Sequence, residues 1–204
     1  MKRGLAAVLG GAAVLGVLLL FVGIQTMPER NPPLPVVGVV PDFALVSSKG
    51  AAVQRSDLIG HPWIVDLMFT SCAGVCPRMT TEMARLEEGT TDLPNARFVS
   101  ISVDPERDTP ETLAAYAEKL GVGSDRWYFL TGERDQIYEL ASAGFYLPAQ
   151  EGDESLGQEA VVHSSRFVLV DSKGRIRGYY DSRDPDALLR LRTDLRRVDG
   201  APIG

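Results

Sequence analysis

Two cysteines in one short segment are the residues of this chain best suited to chemistry. Cys72 and Cys76 are its only cysteines, and three residues separate them. They follow an apolar run over 63–69, which predicts a buried strand, and they precede Pro77, a residue favoured in the first turn of a helix. A turn between a strand and a helix can bring both sulfurs to one side. The pair could then form a disulfide or bind one soft metal ion.

The predicted helix start bears on the reactivity of Cys76. Unpaired N–H groups at a helix N-terminus stabilise a thiolate, so we expect a lowered pKa for the Cys76 thiol. A purely structural disulfide is the alternative interpretation. A bridge across three residues closes a very small loop, however, and such a loop contributes little stability. The spacing therefore favours a redox-active or metal-binding pair.

Other metal-ligating residue types are few. The chain has two histidines, and His61 lies in a predicted loop outside every motif, which is typical of a surface histidine. His163 precedes a predicted strand and is considered below. Met79 and Met83 follow the cysteines at helical spacing, which favours core packing over a role as thioether ligands.

One acidic loop could suggest a site for a hard cation. It contains Asp104, Glu106 and Asp108, but it lacks the glycine and the final glutamate of a calcium-binding hand. We therefore expect these residues to shape the loop and to cap the helix that follows. The sequence also lacks a nucleophile elbow and a phosphate-binding loop.

The elements that must position the cysteines alternate along the chain. The spacing of apolar residues, together with the turn residues between them, predicts strands and helices in the order β-hairpin, βαβαβα, β-hairpin, α. The predicted strands cover 43–46, 51–53, 63–69, 97–103, 127–130, 166–170 and 176–180, and the predicted helices cover 77–88, 110–120, 134–143 and a segment from 184 onward. This order predicts an α/β fold with helices on both faces of a central sheet.

The N-terminal residues predict a membrane anchor. Residues 4–24 carry no charge, and such a helix would be about 30 Å long, close to the thickness of a hydrocarbon core. Lys2 and Arg3 place the N-terminus in the cytoplasm by the positive-inside rule. A cleaved signal peptide is the alternative, although no Ala-x-Ala site follows the run. The sequence thus indicates a bacterial inner-membrane protein whose remaining chain faces the periplasm.

The remaining chain divides into a linker and one domain. We assign residues 1–24 to the anchor, the proline-rich residues 25–40 to an extended tether, and residues 41–199 to a folded domain. The formal net charge of −6 argues against nucleic acid as a partner. Acidic residues without any basic residue occur over 149–160, which is typical of a solvated loop, while docking onto a basic partner is the functional alternative.

Four motifs in order resemble one known family. The segment over 69–77, F-T-S-C-A-G-V-C-P, resembles the F-x-x-C-x-x-x-C-P site of the Sco/SenC copper proteins. The segments over 102–111 and 127–132 resemble that family's S-V-D-P-x-R-D-T-P-E and W-x-x-L-T-G motifs. His163, followed by a predicted strand, resembles the family's metal-binding histidine.

The resemblance implies both fold and function. Sco/SenC proteins are thioredoxin-like and membrane-anchored, with a three-layer fold around a central mixed sheet. They help to assemble the binuclear copper site of cytochrome c oxidase. By this resemblance, Cys72, Cys76 and His163 are the expected ligands of Cu(I) or Cu(II), and the copper-site subunit of the oxidase is the expected partner. Two thiolates suit Cu(I), and an added imidazole lets a site accept Cu(II) as well.

The chain departs from the family pattern at two places. Val162 stands where the family commonly has an aspartate before the histidine, so metal affinity or redox tuning can differ. The residues between the cysteines, Ala-Gly-Val, replace a more polar sequence. Neither departure removes an expected ligand.

Two other functions are compatible with a thioredoxin-like dithiol. A thiol–disulfide oxidoreductase would reduce the cysteines of the oxidase copper site before metallation. General reductases place a proline just before a late strand, and here no proline lies between Pro148 and Arg166. A peroxidase of the peroxiredoxin type is less compatible, because Pro62 lies too far before Cys72. We therefore expect a metallochaperone, with the thiol reductase as the alternative.

Overall fold

The structure is a computed structural model that describes residues 32–72, 74–151 and 161–200. The predicted anchor over 1–24 lies outside the described residues, as does most of the acidic segment over 149–160. Within the described ranges, no helix combines the length and the apolar character needed to cross a membrane.

Ten strands and five α-helices make up this part of the chain. The strands are β1 (Gly38–Val39), β2 (Ala44–Ser47), β3 (Ala52–Gln54), β4 (Trp63–Met68), β5 (Arg97–Ser102), β6 (Trp127–Thr131), β7 (Ala149–Glu151), β8 (Val161–His163), β9 (Arg166–Val170) and β10 (Arg175–Asp181). The helices are α1 (Arg55–Leu58), α2 (Val75–Glu88), α3 (Pro110–Leu120), α4 (Arg134–Glu139) and α5 (Pro185–Asp199). A π-helical segment, Leu140–Gly144, continues α4.

Eight of these strands form one mixed sheet in the order β1-β10-β9-β4-β5-β6-β2-β3. Strands β4, β5 and β6 are parallel, and the pairs on either side are antiparallel. The parallel strands are joined through α2 and α3, as the βαβ alternation predicts. In the register of β4 and β5, Met68 lies opposite Ser102, so the loops after these two strands leave the sheet at the same end.

Helices cover both faces of the sheet, as expected. Trp63 and Asp66 are three residues apart on β4 and therefore point to opposite faces. The Trp63 ring makes an edge contact with Phe145, which follows the π-helical segment. On the other face, Asp66 accepts a hydrogen bond from Ser100, and α2 and α3 are joined there by a bond between Thr80 and Tyr116.

Most of the predicted elements are confirmed, with changes at their ends. The cysteine-bearing helix begins at Val75 instead of Pro77. Helix α3 begins as predicted, because Thr109 accepts a hydrogen bond from the backbone of Thr112, and Gly121 ends it with a φ of 66°. The predicted helix over 134–143 is wrong in its second half, where the chain widens into the π-helical segment. The spacing of apolar residues alone does not distinguish an α-helix from a short π-helix.

The chain before residue 41, predicted as a tether, pairs with the sheet over its last residues. Strand β1 pairs with β10, and a register shift in β10 lies at Arg177. The Arg177 guanidinium donates to the carbonyls of Pro35 and Leu34, at 3.0 Å for Pro35, and forms an ion pair with Asp171 at 2.7 Å. These contacts attach the chain from Leu34 onward to the edge of the domain.

The predicted surface loop after Pro148 begins and ends in a small second sheet. Strands β7 and β8 pair antiparallel, with Ala149 opposite His163 and Glu151 opposite Val161. Three residues in each strand are too few for the alternation of apolar residues to indicate a strand. This sheet therefore has no recognisable signal in the sequence.

Candidate functional site

The segment of the two cysteines connects β4 to α2. The Cys72 backbone N–H donates to the carbonyl of Phe69 at 3.3 Å, which turns the chain sharply after the strand. Helix α2 then starts at Val75 after Gly74, so Cys76 is its second residue. The position of Cys76 at a helix N-terminus, inferred from Pro77, is therefore confirmed.

Neither cysteine forms a disulfide, and both lie in the interior of the domain. Cys76 has no exposed surface and Cys72 is 6% exposed. The Cys72 side chain lies close enough to Cys76 to raise the pKa of the Cys76 thiol. The predicted proximity of the two sulfurs is thus present, and it is the arrangement that a disulfide or a two-thiolate metal site requires.

The prediction of a lowered pKa for Cys76 is wrong. Burial raises the pKa of this thiol far above its ordinary value, and the neighbouring Cys72 and Asp66 raise it further. A hydrogen bond with the Phe69 backbone acts in the opposite direction but is outweighed. The helix N-terminus favours a thiolate only modestly, whereas removal of the thiolate from water opposes it strongly.

A buried carboxylate near Cys76, that of Asp66, was not among the predicted site residues. Asp66 has no exposed surface, and burial raises its pKa from 3.8 to about 7. The Ser100 hydroxyl donates to it at 2.6 Å and accepts a bond from the Trp127 indole at 3.0 Å. Its signal was visible in the sequence, because Asp66 is the only charged residue of the apolar run over 63–69.

A hydroxyl pair supports the helical side of the cysteine segment. The Thr80 hydroxyl donates to the carbonyl of Cys76 at 3.1 Å and lies 2.9 Å from the Tyr116 hydroxyl. Burial raises the pKa of Tyr116 to about 12, and the nearby Cys76 and Asp66 act in the same direction. Tyr116 therefore stays protonated at neutral pH and can donate to Thr80.

A second carboxylate supports the strand side of the same segment. Asp108 has no exposed surface and lies in the loop after β5. It accepts hydrogen bonds from the backbone N–H of Thr70 at 2.9 Å, from the Thr70 hydroxyl, and from the Ser102 hydroxyl at 2.5 Å. Thr70 is two residues before Cys72, so this carboxylate fixes the approach of the chain to the first cysteine.

The backbone of His163 lies at the same end of the sheet as the cysteines. Strand β9 runs antiparallel to β4, with Val170 opposite Trp63, so β9 starts near the point where β4 ends. His163 ends β8, and two residues separate it from the start of β9. The placement of its side chain lies outside the part of the chain that the structure describes.

The other candidate ligands have structural roles. His61 lies before β4, at the opposite end of that strand from the cysteines, and its Nδ1 is 3.0 Å from the carbonyl of Asn95. Met79 and Met83 have no exposed surface and belong to the core. Burial confirms both methionines as core residues, and His61 is partly exposed, in keeping with its interpretation as a surface histidine.

The acidic loop has the loop-shaping role that was expected of it, but the prediction that its carboxylates cap the next helix is wrong. Asp104 pairs with Arg107 at 3.2 Å, and Glu106 pairs with Arg134. The cap of α3 is provided by Thr109 and not by a carboxylate. Among the side chains that the structure describes, no three His, Cys, Asp or Glu residues are grouped to hold a metal ion.

Comparison with known proteins identifies relatives over most of the chain. The family model described as SCO1/SenC matches residues 34–195. The SCO1 protein homolog of Bacillus subtilis is 33% identical over 139 residues, which are 67% of this chain and 70% of that protein. The family match begins at Leu34, whose carbonyl accepts a hydrogen bond from Arg177.

Solved structures share the fold. BsSco, described as a member of the Sco family of cytochrome c oxidase assembly proteins with a disulfide switch, superimposes with a TM-score of 0.72 at 28% identity, covering 85% of this chain and all of that one. ScoI of Bradyrhizobium japonicum, solved with copper bound, gives a TM-score of 0.62 at 25% identity, covering 78% of this chain and 99% of that one. The predicted thioredoxin-like mixed sheet is therefore confirmed.

Proposed function

The chain belongs to the SCO1/SenC family, and we propose that it is a copper metallochaperone for the assembly of the binuclear copper site of cytochrome c oxidase. In this proposal copper is the cargo of the protein. The observation that carries the proposal is the pair of neighbouring thiols, Cys72 and Cys76, which are not joined by a disulfide and lie at the junction of β4 and α2. A solved relative at 25% identity contains copper, which supports the same cargo here.

The donor set is suited to copper. Two thiolates form a soft pair that prefers Cu(I), and the proposed third ligand, His163, supplies a nitrogen that Cu(II) accepts. Burial raises the pKa of Cys76, so metal binding must release a proton from this thiol. The dry surroundings of both sulfurs also restrict the access of water and of oxidants to a bound ion.

The test of this function is a Cu(I) competition titration of the purified full-length protein against a chromophoric chelator. We expect one ion per chain, and we expect Cys72→Ala or Cys76→Ala to abolish tight binding because a lone thiolate cannot form the pair. His61→Ala is the matched histidine control and should bind like the wild type. Tight binding by either cysteine variant would contradict the proposed ligands.

A thiol–disulfide oxidoreductase is the second candidate function. The thiols are adjacent and unbridged, which is the reduced form that such an enzyme would use, and the disulfide switch described for BsSco shows related chemistry in a relative. A peptide containing the oxidised cysteine pair of an oxidase copper site would test it. Rapid reduction of this peptide by a protein that binds no copper would favour the reductase over the chaperone.

We further propose that residues 1–24 anchor the protein in the bacterial inner membrane and that the domain faces the periplasm. The uncharged run and the basic residues before it support this topology. The full-length protein should then sediment with membranes and resist extraction by high salt. A processed form released into the soluble fraction would replace the anchor with a cleaved signal peptide.

A further inference from the structure

The buried carboxylate of Asp108 has an environment that its sequence position does not explain. No ion pair with Asp108 occurs among the described residues, and a buried polar group without partners is unfavourable. Instead the two carboxylate oxygens accept three hydrogen bonds, two from Thr70 and one from Ser102. This arrangement holds the strand side of the cysteine segment firmly, because the buried side chain of Asp108 loses a partner whenever that segment moves away.

Two simpler roles for Asp108 are contradicted by its contacts. It does not cap α3, because Thr109 accepts the capping bond from the backbone of Thr112 at 3.3 Å. It is also a poor cation ligand, because the three groups that contact its oxygens, two from Thr70 and one from Ser102, are all hydrogen-bond donors. The contacts of Asp108 instead connect the loop after β5 to Thr70, two positions before Cys72.

The helix that follows Asp108 reaches the other side of the same segment. Tyr116 lies on α3 and its hydroxyl is 2.9 Å from that of Thr80, which in turn donates to the carbonyl of Cys76. Both contacts are made by one continuous unit, the end of the loop and the first turns of α3. The segment of the two cysteines is therefore held before Cys72 and after Cys76 by neighbouring parts of the chain.

We propose that Asp108 is a positioning residue that, together with Tyr116, fixes the backbone between Thr70 and Thr80 and so sets the separation of the two cysteine sulfurs. The inference rests on the proposed function, because that separation determines both the affinity for Cu(I) and the ease of disulfide formation. Asp108 touches neither sulfur and acts through Thr70. Tyr116 acts through Thr80.

Asp108→Asn is the informative variant. The amide keeps the size of the side chain but replaces one acceptor oxygen by an NH₂ group, which must then face a donor from Thr70 or Ser102. Thr70→Val is milder, since it removes only the hydroxyl bond and keeps the backbone N–H. Asp171→Asn is the matched control for loss of a buried carboxylate, because Asp171 holds Arg175 and Arg177 near the edge of the sheet.

A second matched pair tests the helical side. Thr80→Val removes the hydroxyl that joins Tyr116 to the carbonyl of Cys76. Thr81→Val removes the hydroxyl of the next residue, which donates to the carbonyl of Pro77 at 2.9 Å without reaching α3. Both changes occur in the same helix and substitute the same atoms, so helix propensity cancels between them.

The measurements are made on purified full-length protein, with three readouts for each variant. They are the Cu(I) dissociation constant by chelator competition, the midpoint potential of the Cys72–Cys76 couple in glutathione buffers, and the free energy of unfolding. We expect Asp108→Asn to weaken Cu(I) binding by about tenfold or more and to shift the midpoint potential. Thr70→Val and Thr80→Val should change both quantities in the same direction by less, and Asp171→Asn and Thr81→Val should change neither.

The proposal is overturned if Asp108→Asn lowers only the free energy of unfolding, the result expected of Asp171→Asn. In that case its Cu(I) affinity would lie within twofold of the wild type, and its midpoint potential would equal that of the wild type within experimental error. Should Asp108→Asn fail to fold, unchanged affinity and potential in both Thr70→Val and Thr80→Val overturn it equally. If the wild type binds no Cu(I), the chaperone function fails. The midpoint potential still decides whether Asp108 positions the thiols.

Discussion

The Ser100 hydroxyl donates a 2.6 Å hydrogen bond to one oxygen of the Asp66 carboxylate, and the other oxygen has no hydrogen-bond partner among the described residues. Both residues lie in the parallel centre of the sheet, opposite each other in the register of β4 and β5. Cys76 and Tyr116 are close enough to interact with the carboxylate electrostatically. A half-satisfied carboxyl in the core favours its neutral form, because ionisation there is opposed by burial.

Asp66 should make the domain less stable as the pH rises. Its pKa is raised in the folded state to about 7 from 3.8, so the folded protein holds the proton over a range in which the unfolded chain has lost it. Stability from this group is therefore greatest below pH 4 and is lost progressively up to pH 7. The full change corresponds to about 4 kcal/mol, of which about 2 to 3 kcal/mol falls between pH 5 and pH 8.

Denaturant unfolding at pH 5 and pH 8 checks this expectation. Asp66→Asn cannot ionise, so its free energy of unfolding should fall less than that of the wild type between these two values. Both histidines are present in both proteins, and their contributions cancel. Asp125→Asn, at a fully exposed side chain, should retain the pH dependence of the wild type. Parallel pH profiles for the wild type and Asp66→Asn would contradict the prediction.

The sequence predicts the positions of the cysteines well and their electrostatics poorly. The apolar run before Cys72 and the proline after Cys76 determine a strand-to-helix junction, and local signals of this kind are contained in neighbouring residues. The pKa of Cys76 depends instead on burial by residues remote in sequence. Asp66, ten residues earlier on β4, raises this pKa further because the fold brings its carboxylate near the thiol.

The same distinction explains the contacts that were missed. The acidic loop was expected to shape its own surroundings, and the contacts of Asp104 with Arg107 agree with that. The hydrogen bonds that Thr70 donates to Asp108 connect residues 38 positions apart, and no local pattern predicts them. The edge strand β1 is also invisible in the sequence, because two residues carry no periodicity and its pairing depends on β10.

The boundary of the folded domain can be tested by truncation. The buried Arg177 guanidinium donates to the carbonyls of Leu34 and Pro35, and a chain that begins at Val36 lacks both acceptors. We expect this shorter protein to be less stable by about 1 to 3 kcal/mol than one that begins at Asn31, because a buried donor is left unsatisfied. Thermal or denaturant unfolding of the two proteins measures the difference, and equal stability would show that the contacts of Arg177 contribute nothing.

The two thiols should differ in their reactivity toward iodoacetamide. Cys76 has no exposed surface and burial raises its pKa, whereas Cys72 retains 6% exposure. Because the thiolate is the nucleophile, alkylation of the reduced protein near neutral pH should modify Cys72 first. Peptide mapping by mass spectrometry at successive times measures both rates. The difference should disappear in concentrated guanidinium and both rates should fall on addition of Cu(I), whereas equal rates in the folded, metal-free protein would contradict the effect of burial.

The remaining prediction separates the proposed histidine ligand from the two thiols. Loss of His163 leaves the pair Cys72 and Cys76, which is sufficient for Cu(I), but Cu(II) prefers additional nitrogen or oxygen donors. His163→Ala should therefore lower the affinity for Cu(II) by about tenfold or more, equivalent to roughly 1.4 kcal/mol, and weaken the associated charge-transfer colour, while Cu(I) binding changes less. Parallel titrations with each oxidation state, under argon for Cu(I), measure the two effects. His61→Ala provides the comparison, since His61 contacts the carbonyl of Asn95 at the far end of β4 and should leave both affinities unchanged. Equal Cu(II) binding by the wild type and His163→Ala would remove His163 from the site and leave the third ligand to be found elsewhere.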